Sequence, residues 1–134
     1  MYLVDTNVWL ERLLDQEKSE EVGRFLDRTP SDRVFMTDFA FHSIALAMHR
    51  LKKSDVLLAF VRDAFVDGNV RLVHLRPEDT VQILAAVESF RLDFDDAYQY
   101  VAAENRDLTL VSLDSDFDRT ERGRTVPTEA VNEK

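Results

Sequence analysis

Acidic residues in this chain gather where apolar runs stop, and that placement points to cation chemistry. Leu108 to Asp118 reads Leu-Thr-Leu-Val-Ser-Leu-Asp-Ser-Asp-Phe-Asp. A short apolar run ends there in Ser112, and Asp114, Asp116 and Asp118 follow at every second residue. The N-terminus repeats the arrangement, with Tyr2-Leu3-Val4 closed by Asp5-Thr6-Asn7. A fourth candidate, Asp96, falls in the first turn of a helical segment opened by Asp93. Apolar runs with β-branched members predict buried strands. Ligands of open parallel sheets bind outside the carboxyl ends of such strands. Hard cations such as Mg2+ and Mn2+ prefer carboxylate and water oxygens, and a pair of them can activate water and stabilise the leaving oxygen of a phosphodiester. Clustered carboxylates repel one another in a low-dielectric cleft unless a cation neutralises them. Asp5, Asp96, Asp114 and Asp116 are therefore the candidate metal-binding and catalytic residues. Several acids also have a plainer reading: Asp93, Asp95 and Asp96 as cap and dipole residues, Asp116 and Asp118 as turn residues. Asp5 is harder to dismiss, because it closes an apolar strand directly into a helical segment. Their coincidence at one edge is what carries the argument.

The elements that must position these acids alternate between two periods. After the strand at Tyr2–Val4, Val8-Trp9 and Leu13-Leu14 predict a first helix. Val22, Phe25 and Leu26 mark one face of a second helix, which ends at Thr29-Pro30-Ser31 because proline restricts the residue before it. Val34-Phe35-Met36 is a second strand. Thr37 then serves as an N-cap, with Asp38 in the first turn and Phe41, Ile44, Ala45, Met48 and Leu51 as the apolar stripe. A helix over Val56–Val66 stops at the Asp67-Gly68-Asn69 turn, and Val70–Leu75 is a third strand. Pro77 opens the next helix, running to about Phe90, and Asp93 caps another from Phe94 to about Arg106 that is buried on most sides. The Leu108–Ser112 strand follows, with Thr125-Val126 as a short edge strand. Alternating strands and helices predict an α/β fold with a parallel sheet covered on both faces.

Composition narrows the function. At 134 residues the chain is expected to form a single domain over 1–134, long enough to bury a core. Twenty-six acidic residues against 17 basic ones give a net charge of −9, which argues against a protein that coats nucleic acid through a basic face. It leaves room for an enzyme that holds a phosphodiester through metal ions. Cysteine is absent, the N-terminus carries no signal pattern and no apolar run approaches the roughly 20 residues a membrane span requires. A cytoplasmic protein without membrane attachment is the expectation. No zinc pattern, phosphate-binding glycine loop or serine elbow competes with the acidic site.

Val4-Asp5-Thr6-Asn7, then Asp96-Ala97 opening an alanine-rich helix, then Ser112-Leu113-Asp114-Ser115-Asp116-Phe117 resemble the PIN domain across essentially the whole chain. Ser112 stands where that family's Thr-x-Asp-x-Asp-Phe element has threonine. The resemblance implies a three-layer α/β/α sandwich with a central, mostly parallel sheet. It implies a Mg2+- or Mn2+-dependent endoribonuclease with an RNA substrate. Small single-domain members are commonly VapC-like toxins, which implies a small antitoxin partner and a homodimer. By the same resemblance Asp5, Asp96 and Asp114 are core metal-site acids and Asp116 is auxiliary, with Thr6, Asn7 and Ser112 orienting them. One departure stands out. The family places a glutamate on the helix after the second strand, five residues past the Ser/Thr that opens it, and counting from Thr37 that position is His42. Three readings stay open: Asp38 supplies the carboxylate, His42 is itself a ligand, or the chain is a degenerate PIN module that binds RNA or a partner without cleaving it. A phosphatase of the haloacid-dehalogenase kind is disfavoured, because Asp5-Thr6-Asn7 lacks its second aspartate.

Among the basic residues, Arg119, Arg122 and Arg124 follow the last aspartate and are either phosphate contacts or a solvated charged loop. Arg50, Lys52 and Lys53 complement a helix C-terminus, His49 is a surface helix residue, and Trp9 is a core or dimer contact rather than a base-stacking platform.

Overall fold

The computed structural model describes residues 1–131. Its centre is a four-stranded sheet of β1 (Tyr2–Val4), β2 (Val34–Thr37), β3 (Arg71–Val73) and β4 (Thr109–Val111). The strand order is β3-β2-β1-β4, and every pairing is parallel. Tyr2 pairs with Val34 on one side and Thr109 on the other, so β1 is buried between neighbours.

Side chains alternate across a strand, and here the alternation sorts the core into two layers. Leu3, Phe35, Val73 and Leu110 point to the face covered by α5 (Thr80–Phe90) and α6 (Phe94–Arg106), where they pack with Ile83, Tyr100, Val101 and Phe117. Val4, Val34, Met36 and Val111 point to the other face. There they meet α1 (Thr6–Leu13), α2 (Ser19–Arg28), α3 (Asp38–Arg50), α4 (Ser54–Val61) and α7 (Pro127–Val131) through Val8, Trp9, Phe25, Ile44, Phe60 and Ala130. The result is the expected three-layer α/β/α sandwich. Trp9 belongs to this core, its indole Nε1 donating to the Val4 carbonyl at 3.2 Å.

Differences from the sequence reading are local. Leu51 is 52% exposed, because α3 ends at Arg50 and Leu51 is its C-cap rather than part of its stripe. The helix predicted over 56–66 gives way after Val61 to a wider π turn over Arg62–Val66. β3 is three residues long rather than six; it is the sheet's edge, and Leu72 is half exposed. Thr125 contributes one parallel bridge to Val111, not a strand. Among the described residues no helix is long and apolar enough to cross a membrane.

The chain proceeds from β1 to β2 to β3 in one direction across the sheet, then returns so that β4 lies on the far side of β1. Between β1 and β4 the strand order reverses, and such a switch point opens a crevice at the strand ends. Asp5 leaves β1 at that crevice, and Ser112 to Asp114 leave β4 beside it.

Candidate metal centre

Asp5 follows β1 directly, and its extended backbone makes it the N-cap of α1. Its Oδ1 accepts from the Thr6 N–H at 2.9 Å and from Gln99 Nε2 at 2.9 Å; its Oδ2 accepts from Ser112 Oγ at 2.8 Å. Only 5% of the residue is exposed. Burial raises its carboxyl above the usual range, the three hydrogen bonds pull it back, and the charge of Asp114 raises it further. Gln99 is held in turn by the Thr37 hydroxyl, which donates to its Oε1. Thr37 Oγ1 also accepts from the Ala40 N–H at 2.9 Å as the N-cap of α3. A chain of hydrogen bonds therefore runs from the start of α3 through α6 to the end of β1.

Ser112 and Asn7 fix the exit of β4. Ser112 Oγ accepts from the Asp114 N–H at 3.0 Å, and Asn7 Oδ1 accepts from the Leu113 N–H at 3.2 Å. Asn7 Nδ2 reaches Ser112 Oγ at 3.4 Å. Asp114 then caps a 3-10 turn over Ser115–Arg119, its Oδ1 accepting from the Asp116 N–H at 2.9 Å. On α6, Asp93 is the N-cap and accepts from the Asp96 N–H at 2.8 Å, which places Asp96 in the first turn.

These local geometries bring Asp96, Asp114 and Asp116 together, with carboxylate oxygens all within 4.8 Å of one another. Asp5 lies outside that set, buried and hydrogen-bonded, yet it acts electrostatically on Asp96 as Asp114 does. Burial, followed by the charges of Asp93, Asp114 and Asp5 and a hydrogen bond with Asp114, pushes the Asp96 carboxyl up to about 7. Beside the cluster is an open cleft of about 290 Å³ whose walls include Thr6, Phe39, Ser43 and Asp96. Thr6 Oγ1 is buried there without a hydrogen-bond partner among the described residues. An all-oxygen donor set, a carboxyl that burial and neighbouring acids raise to about 7, and an orphaned hydroxyl beside it all fit a hard divalent cation.

The remaining candidates separate. Asp38 is exposed and its Oδ1 accepts from the Tyr98 hydroxyl at 2.9 Å and the Phe39 N–H at 2.8 Å, away from the three-carboxylate set. His42 is exposed too. The face of α3 that lines the cleft carries Phe39 and Ser43, four residues apart, and His42 is not among the cleft's walls. Arg119, Arg122 and Arg124 are engaged within the chain, pairing with Asp116, Asp107 and Asp118 respectively. Arg122 also donates to the Leu108 carbonyl and Arg124 to the Ser112 carbonyl. Gln99 is the site residue that sequence reasoning missed. Its one signal is a glutamine set in the buried Ala97–Ala103 run, 1% exposed.

A profile of the PIN domain matches residues 2–123. No curated protein matches the sequence. A toxin-antitoxin complex from Klebsiella pneumoniae has the same fold, with a TM-score of 0.77 at 15% identity over 96% of this chain and 99% of that one. FitAcB from Neisseria gonorrhoeae gives 0.74 at 23% identity, over 95% and 98% of the two chains. FitAB bound to an IR36 DNA fragment gives 0.73 at 20% identity, over 96% of each. At such identities the likeness is one of fold.

Proposed function

The chain belongs to the PIN domain family, and on that premise we propose that it is a Mg2+- or Mn2+-dependent endoribonuclease, the toxin of a toxin–antitoxin pair. The observation that carries this reading is the meeting of Asp96, Asp114 and Asp116 over buried Asp5 at the β1–β4 switch point. Among the described residues no lysine or arginine pairs with Asp96 or Asp114. Asp96 and Asp114 would hold the ion, with Asp5 behind them and Asp116 at their side. A bound ion supplies neutralisation of the acids, an activated water and stabilisation of the leaving oxygen. The chain's own residues do the positioning. Ser112 and Gln99 orient Asp5 and favour its charged form against the effect of burial, Asn7 and Ser112 set the path into Asp114, and Asp93 sets Asp96.

Asp114→Asn tests the reading without unfolding the site, because an asparagine Oδ1 still accepts from the Asp116 N–H. Mn2+ affinity by calorimetry is expected to fall at least tenfold and RNA cleavage to vanish, with the far-UV circular dichroism unchanged. Unchanged Mn2+ affinity overturns the assignment.

The toxin role draws on the solved structures of like fold, one of them a toxin-antitoxin complex. With its net charge of −9, the chain would attract a basic segment of a small antitoxin. The product of an adjacent gene is expected to bind and to suppress cleavage. A homodimer is part of the same reading, and sedimentation showing only monomer across micromolar concentrations counts against it.

A second reading, a module that binds RNA or a partner without cleaving, is favoured by Ser43: α3 brings a hydroxyl to the cleft, not an acid. Under it, native protein and Asp114→Asn bind RNA equally and neither cleaves with any divalent ion.

A further inference from the structure

We propose that Arg119 fills, from within the chain, the place of a second divalent ion, so that the acidic cluster takes one ion rather than two. This rests on reading the cluster as a metal site. Arg119 Nη1 donates to Asp116 Oδ1 at 3.0 Å. Its Nε donates to the Phe90 carbonyl at 2.9 Å, and its Nη2 donates to the Arg91 carbonyl. The two carbonyls lie at the end of α5, where Arg91 takes the left-handed conformation (φ 53°) as C-cap. Carbonyls at a helix C-terminus carry partial negative charge and favour a cation. Asp116 and Arg119 are three apart on a 3-10 turn, in which side chains at that spacing stack one above the other. Backbone geometry on both sides therefore holds the guanidinium where it is, and its planar fork meets all three acceptors.

The consequence follows from charge. Asp116 belongs to the three-carboxylate set, so Arg119 compensates one acid of the cluster before any ion arrives. One divalent ion with Arg119 brings three positive charges against the four carboxylates of Asp5, Asp96, Asp114 and Asp116. A second ion would bring five, and ions of a two-metal site sit only about 4 Å apart. With the guanidinium on Asp116, the second place is repulsive. The same contacts tie the 3-10 turn to the α5–α6 connection, two residues before Asp93. Arg119 is thus a positioning residue for both Asp116 and the start of α6.

Counting Mn2+ ions per chain by calorimetry tests this on the full chain and two variants. The native chain is expected to bind one ion, Arg119→Gln two, and Arg119→Lys, which keeps the charge, one. Two ions on the native chain or on Arg119→Lys, or one or none on Arg119→Gln, overturn the inference while leaving the metal site standing. No ion on the native chain overturns the metal-site reading itself. Should Arg119→Gln fail to fold, native crystals soaked in Mn2+ decide the matter. One anomalous peak with Arg119 still on Asp116 is expected; two peaks, or Arg119 displaced, overturn it.

Discussion

A carboxyl raised to about 7 would link proton release to metal binding at the proposed site, and Asp96 is that carboxyl. Its ordinary value is 3.8 and the folded value about 7, so the folded chain holds this proton more tightly. Its contribution to stability is fully present below pH 3.8 and is lost as the pH rises to 7. The metal-free protein is therefore expected to melt at a lower temperature at pH 8 than at pH 5. Asp96→Asn is expected to flatten that slope, leaving the part due to Asp5, whose carboxyl is also raised by burial. An unchanged slope in the variant's calorimetric melts would sink the account. With Mn2+ present the sign reverses: affinity should climb up to about pH 7 and then level off. At this scale the sequence was readable wherever a residue answers to its immediate neighbours. Asp5, Thr37 and Asp93 close or open an element, and each is a side-chain cap in the structure. Gln99 and Arg119 were not readable in the same way, because their partners lie on other elements: Asp5 and Thr37 for one, the Phe90 and Arg91 carbonyls for the other.

Helix phase decides which side chains reach the cleft. An error of one residue turns a helical position by about 100°. His42 and Ser43 differ by that rotation; the first is exposed and the second lines the cleft. Ser43→Glu should add a carboxylate beside the cluster and raise Mn2+ affinity about tenfold, roughly 1.4 kcal/mol. His42→Glu should leave it unchanged. Equal effects from the two would show that α3 is not oriented as described. Between elements, Gln99 joins α6 to α3 and to β1 through two buried hydrogen bonds. Gln99→Leu leaves Asp5 and the Thr37 hydroxyl each short of a partner, at a cost of ~1–3 kcal/mol. Urea unfolding checks it, and a change below about 0.5 kcal/mol would mean that the network relaxes without loss.

Over the whole molecule, the layers were legible and the sheet order was not. Unbroken apolar runs along β1 and β2 announce two buried faces, and Leu3 and Val4 do go to opposite layers. Which strands are neighbours depends on long-range pairing that leaves no local mark, yet that order puts β4 beside β1 and so Asp114 near Asp5. Charge at this scale sets the last expectation. The chain carries −9, and the three arginines that follow Asp118 are spent on Asp116, Asp107 and Asp118. Among the described residues no lysine or arginine lines the cleft, so under the proposed function RNA would be held chiefly through the ion. Binding to a single-stranded RNA by fluorescence anisotropy should then need a divalent ion and disappear in EDTA. Its dependence on monovalent salt should be shallow, because each phosphate neutralised by a side chain adds about −0.7 to the slope of log K against log salt. One such contact or none gives a slope no steeper than about −1. A slope beyond about −2, persisting in EDTA, would mean three or more arginine or lysine contacts. That would require Arg119, Arg122 and Arg124 to leave their carboxylates for the substrate, and it would return them to the role of phosphate contacts.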